Sequence, residues 1–218
     1  MCVRHTKRPI FSFVDAAVRP DSSLTVFPLA DDYSFGVLQS DVHWLWFVAR
    51  CSTIKRDFRY TSDTVFDTFP WPQQPTKKQM RAVADAAVAL RKLRRETMTK
   101  LGWSLRELYR SLEEPGDNPL RAAHAALDAA VRAAYGMGAK EDILTHLLAV
   151  NHACADKERA GEKITPPGLP LPPEEHADFI TTDCIRAPGE DDSTAESYAA
   201  AAHHHAPVVR EEGGKYRV

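Results

Sequence analysis

Asp32-Tyr33-Ser34-Phe35-Gly36-Val37-Leu38-Gln39-Ser40-Asp41-Val42-His43-Trp44-Leu45-Trp46 is the stretch on which the reading of this chain turns. Phe35, Leu38, Val42, Leu45, Trp46 and Ala49 recur at three- and four-residue spacing, which puts apolar side chains on one face of a helix. Ser34 is placed to cap its start. Tyr33, Phe35, Trp44, Trp46 and Phe47 follow that stripe, which assigns them to packing rather than to base stacking. His43, alone on the helix, reads as a hydrogen-bonded interior residue rather than a metal ligand. Downstream stand Arg59-Tyr60-Thr61 and Val65-Phe66-Asp67-Thr68-Phe69-Pro70-Trp71-Pro72. The two prolines force extended backbone before them and remove two donors, so residues 51–75 read as an irregular clamp between neighbouring parts.

On the N-terminal side, Ile10-Phe11-Phe13-Val14 and Leu24-Thr25-Val26-Phe27, bounded by Pro9, Pro20 and Pro28, suggest two short strands joined by a turn. On the C-terminal side the helical period returns. A helix begins near Thr76 with Met80, Val83, Ala87 and Leu90 inward, and Arg91, Lys92, Arg94 and Arg95 read as its solvated end, where the helix dipole favours cations. A short helix covers Ser104 to Leu112. Asp117 or Asn118 caps the next, Pro119 takes its first position, and Gly136 ends it. A last helix is expected from Ala139 to Arg159, with Ile143, Leu147, Val150 and Cys154 inward. The fold class is therefore α+β, mostly α: short N-terminal strands, a helix, an extended Pro-containing linker, then a small antiparallel helical bundle. Residues 162–218, Pro-rich and then acidic and Ala/His-rich, read as a disordered tail.

The 218 residues suffice for one domain or two small ones. No apolar run reaches the roughly 18 residues a membrane helix needs, and the charged start lacks a signal-type apolar region, so a cytoplasmic protein is expected. Cys2, Cys51, Cys154 and Cys184 form no C-x-x-C pair, which argues against a zinc ribbon or a disulfide scaffold. The net charge of -2 hides an asymmetry: residues 1–110 carry 18 cationic against 11 acidic side chains, and residues 111–218 carry 10 against 19. Phosphate contact requires clustered positive charge, so it belongs to the first half.

Taken in order, the Tyr33–Gly36, Leu38–Ser40 and His43–Trp44 elements, the Arg59–Thr61 turn and the Val65–Pro72 exit resemble the rear part of the MmeI-like class I adenine methyltransferases of restriction-modification systems. The resemblance runs from about Arg8 to about Gly161. It implies that residues 1–75 end a target-recognition region, residues 76–161 form a helical C-terminal domain, and residues 162–218 a tail. Complete members of the family bind SAM, recognise a short DNA sequence and methylate adenine N6, and some carry a nuclease domain in front. The resemblance thus implies a rear fragment of such an enzyme, from a truncated reading frame, a split gene or an excised piece, with no cofactor site of its own.

Catalysis of this kind needs a Gly-rich cofactor turn and an N-P-P-Y-type loop that holds a flipped adenine. Neither stands in this sequence; Asn118-Pro119-Leu120 lacks the second proline and the aromatic, and capping explains it. No catalytic residue is therefore assigned, and no metal site. His203-His204-His205 stands without Cys or Asp at ligand spacing, and Asp31-Asp32 reads as a turn or cap pair. The DNA-binding candidates are Arg50, Ser52, Thr53, Lys55, Arg56 and Arg59, cations and hydroxyls in non-periodic sequence of the kind that positions phosphates. A solvated loop, or one paired with Asp57 and Asp63, accounts for the same residues. The expected function is DNA recognition and bracing with chemistry supplied by an upstream methyltransferase polypeptide. The alternative is a protein-interaction module that docks such a subunit through Trp44, Trp46 and Trp71 and never touches DNA.

Overall fold

The central element of the computed structural model is α3, Lys77–Leu101, 25 residues long. The structure describes residues 1–6, 9–14, 18–54, 57–138 and 140–184. Thr76 and Gln79 close a reciprocal capping box at the start of α3, and Gly102, at φ 65°, ends it in the left-handed conformation that only glycine adopts freely. Because the helix continues to Leu101, Arg91 and Arg94 lie two turns inside it, 8% and 5% exposed, rather than at a solvated end as their order in the sequence suggests.

The opening stretch forms two helices, α1 over Asp32–Gln39 and α2 over Asp41–Arg50, broken at Ser40. Asp31, not Ser34, caps α1 by accepting from the Ser34 amide at 2.7 Å, and Ser40 caps α2. Every residue of α1 is buried. Its contact with α3 runs through Gly36: a Cβ there would lie 2.6 Å from Val83 Cγ1 and 3.3 Å from Ala87 Cβ. The missing side chain at Gly36 and the small ones at Ala84 and Ala87 let the two helices approach closely.

Strand pairing is sparse. β1 (Cys2–Val3) pairs antiparallel with β3 (Leu24–Thr25), and β2 (His5–Thr6), β5 (Asp57–Arg59) and β4 (Ser52–Ile54) form a three-stranded antiparallel sheet in the order β2-β5-β4. The expected strand at Ile10–Val14 does not form. The Phe11 amide instead donates to Gln39 Oε1 at 2.9 Å and its carbonyl accepts from Arg94 Nη1 at 3.1 Å, so side chains satisfy groups that a strand partner would take. The part of 51–75 read as irregular contains the β4–β5 hairpin and a π-helical turn at Ser62–Phe66.

The C-terminal helices follow their sequence signals. α4 spans Leu105–Arg110; α5 spans Pro119–Ala134, capped by Asn118 with Pro119 at its first position; α6 spans Ile143–Arg159, capped by Asp142 and so starting later than the pattern suggested. α3 packs along α5 and α1, and one continuous apolar cluster draws on both sides of residue 75, from Phe11, Tyr33 and Trp71 to Leu90, Leu127 and Leu147. No helix among the described residues is long and apolar enough to cross a membrane.

Residues 162–184 correct the expectation of a tail beginning at 162. Phe179 is fully buried, Cys184 nearly so, and Leu169 and Leu171 pack on the core, through contacts with residues distant in sequence that composition alone does not reveal. Residues 185–218, including His203–His205, lie outside the described residues.

Filling the α1–α3 contact must force the helices apart. Gly36→Ala is expected to lower stability by about 1–3 kcal/mol, read from chemical denaturation, and Val83→Ala in the same chain is expected to recover part of that loss.

Candidate nucleic-acid interface

The basic loop singled out by the sequence is a hairpin seated on α2, and its seat is aromatic. Phe58 and Tyr60 alternate inward from β5: Phe58 packs against Trp44 and Phe47 at ring separations of 6.0 and 5.9 Å, and Tyr60 stacks on Phe47 at 5.3 Å. The two-residue period of a strand then turns the intervening Arg59 to the opposite face. Register places Ser52 directly across from Arg59, so both project from that face.

Tyr60 is pinned from behind. His43, fully buried on α2, donates from Nδ1 to the Leu38 carbonyl at 2.9 Å, which leaves Nε2 to accept from the Tyr60 hydroxyl at 2.9 Å. Burial holds the imidazole neutral, bringing its pKa down to about 4, against a smaller upward pull from the Leu38 carbonyl. Burial likewise pushes the Tyr60 phenol up, keeping its proton available for the bond. The interior reading of His43 holds, and its role is to fix the base of the hairpin.

Of the six candidates, Arg50 and Ser52 are exposed and Arg59 is half-buried. The guanidinium of Arg50 lies 5.7 Å from the Trp46 ring centre, which holds it beside the last turn of α2. Arg59 Nε is shielded from solvent and has no hydrogen-bond partner among the described residues. Thr53 lies in β4, opposite Phe58 in register. Lys55 and Arg56, at the hairpin tip, lie outside the described residues. The structure therefore brings Ser52 and Arg59 together and sets Arg50 at the neighbouring helix end. Among the described residues no group of three or more His, Cys, Asp or Glu side chains could hold a metal ion.

The second cationic set does different work. Arg91 is paired with Asp32 in the interior and lies against the Phe13 and Phe35 rings at 5.1 and 4.7 Å, while Arg94 bonds Tyr109, whose hydroxyl meets His124 Nε2 at 2.8 Å. Arg95 reaches Asp183 at 2.5 Å. No local pattern points to these partners, because Asp32, Tyr109 and Asp183 are 59, 15 and 88 residues away from the arginines they meet. Trp46 and Trp71 are 4% and 2% exposed, which removes two of the three tryptophans from any docking surface.

Comparison with known proteins agrees with the sequence motifs. A family model described as the MmeI target recognition domain matches residues 9–73. Over 106 residues the chain is 33% identical to DNA methyltransferase A of Bacillus subtilis (strain 168), a stretch amounting to 49% of this chain and 11% of that protein. Its structure resembles that of the Type IIL restriction-modification enzyme MmeI, solved in complex with DNA, with a TM-score of 0.63 and 27% identity over 71% of this chain and 21% of that one. The chain thus spans about a tenth and a fifth of the lengths of these two relatives.

The buried imidazole fixes a pH window. Neutral in the fold and free to protonate once unfolded, His43 costs the folded state stability as pH falls from about 6.5 towards 4, on the order of 3 kcal/mol in all. Denaturant titrations of His43→Gln are expected to show a flatter pH dependence across that window than the parent chain, with lower stability at pH near 8.

Proposed function

We propose that this chain, whose residues 9–73 match the MmeI target recognition domain, is the recognition part of an MmeI-like methyltransferase and binds duplex DNA through the β4–β5 hairpin while leaving methyl transfer to the rest of a complete enzyme. The observation that carries the proposal is the seat of the hairpin. Aromatic packing of Phe58 and Tyr60 on α2 directs Arg59 and Ser52 outward on one face, and the tip between them has the sequence Lys55-Arg56. Cations and a hydroxyl on a hairpin seated in this way suit phosphate oxygens, with Arg59 and Arg50 also able to meet base edges. That the MmeI neighbour was solved with DNA supports the same reading.

In this reading Arg50, Ser52, Thr53, Lys55, Arg56 and Arg59 position the backbone, the helices behind them brace the hairpin, and SAM and the catalytic loop are supplied by an upstream methyltransferase polypeptide in the cytoplasm. No residue of this chain is given a catalytic, cofactor or metal role. Binding by so few phosphate contacts is weak and electrostatic, with Kd on the order of 10⁻⁴ to 10⁻⁶ M at physiological salt.

Fluorescence anisotropy with a labelled duplex over a salt series tests this. Affinity is expected to fall steeply with salt, and Lys55→Ala, Arg56→Ala and Arg59→Ala together are expected to abolish most binding. Each contact removed reduces the slope of log K against log salt by about 0.9. Absence of binding at low salt would refute the proposal. The partner half of the reading is checked by co-purification with a SAM-binding methyltransferase polypeptide, whose failure would leave DNA contact standing alone.

A further inference from the structure

Residues 164–184 run along α3 and clasp the recognition segment at several points. At the near end, the Thr165 amide donates to Gln73 Oε1 at 3.1 Å and the Thr165 hydroxyl donates to the Gln73 carbonyl at 2.5 Å, while Gly168, at φ 108°, lies so close to Leu29 that a Cβ would meet it at 3.3 Å. At the far end, Thr181 Oγ1 and Cys184 Sγ both donate to Asp32 Oδ1 at 3.2 Å, the oxygen that also takes Arg91. Between these ends Phe179 is fully buried under the Arg81 guanidinium, 4.2 Å from its ring centre. Acidic side chains match cations of α3 in order: Glu175 meets Lys77 at 2.5 Å, and Asp183 meets Arg95 at 2.5 Å and Arg91 at 3.6 Å.

The way this strap is attached differs from the rest of the fold. Among the described residues its backbone-to-backbone hydrogen bonds are internal turns, such as Glu175 to Pro172 and Cys184 to Thr181, and apart from the Thr165–Gln73 bonds, which use main-chain groups of both residues, and the Asp178 carbonyl held by Arg81, its hydrogen bonds and ion pairs to the body are side chain to side chain. Lys77, Glu175 and Arg95 sit at the rim, where salt screens them. α3 and α5, by contrast, share a continuous apolar seam from Val83 and Leu90 to Leu127 and Val131 that needs nothing from the strap. Segments held by few buried contacts and exposed ion pairs open locally at lower free energy than the core.

We propose that residues 164–184 act as a latch, anchored by Phe179 and closed on Asp32 and Gln73, which opens as a unit without unfolding α5 and α6 and whose closure holds the recognition segment on α3. Opening uncovers Asp32 and strips Arg91 of Asp183 and Thr181, so the first turn of α1 loosens with it. The proposal needs no assumption about DNA.

Native-state hydrogen exchange by mass spectrometry on the full chain tests it. Phe179→Ala is expected to speed exchange at least tenfold in residues 169–184 and in the first turn of α1, while α5 and α6 change less than threefold. Asp183→Asn, which keeps the anchor, is expected to give the same pattern at smaller amplitude and to weaken the acceleration that added salt produces in the parent strap. Uniform acceleration across all helices in either variant, loss of folding in both, or unchanged exchange in the strap would overturn the latch.

Discussion

The close approach of α1 to α3 at Gly36 is the constraint from which the other positions follow. α1 is buried on all sides, so its place is set by what can touch it, and Val83 and Ala87 leave room only for a residue without a side chain. Once α1 is seated, Ser40 turns the chain into α2, α2 presents Trp44 and Phe47, and these receive the hairpin. A shift of α1 by a fraction of an ångström is therefore transmitted, through close-packed side chains, to the face that carries Arg59 and Ser52.

Buried polar groups supply the specificity that apolar packing lacks. Asp32 and Arg91 are both nearly inaccessible, and each is unfavourable inside the fold without the other. Arg91 also lies against the adjoining rings of Phe13 and Phe35, and Arg94 fixes Phe11 and Tyr109. At Phe11 side chains take the place of strand pairing, and Ser12 exchanges main-chain hydrogen bonds with Met1, so a segment with strand-like composition is held without a ladder of its own. His43 and Tyr60 form the corresponding neutral link between α2 and the hairpin.

The motifs that identified the family are mostly structural in their physical content. Tyr33, Phe35, Trp46, Phe69 and Trp71 are core residues, and the residues proposed to meet DNA are the less conspicuous polar ones between them. The hairpin was legible as a basic loop because cations and hydroxyls cluster there in the sequence. It was not legible as a hairpin, because β2, which completes its sheet, lies more than fifty residues upstream of β5.

By itself the sequence determined several helix starts and one end: Thr76, Ser104 and Asn118 at starts, Pro119 at a first turn and Gly136 in a left-handed turn are local effects, complete within a few residues. It also carried the resemblance to the MmeI target recognition domain, since ordered motifs survive without any knowledge of contacts. Tertiary structure alone decided that Arg91 and Arg94 are interior, that Ile10–Val14 is not a strand, and that residues 162–184 belong to the body. Each of those outcomes depends on a partner tens of residues distant, and the free energy of a buried charge or an extended segment is set by that partner rather than by its neighbours along the chain.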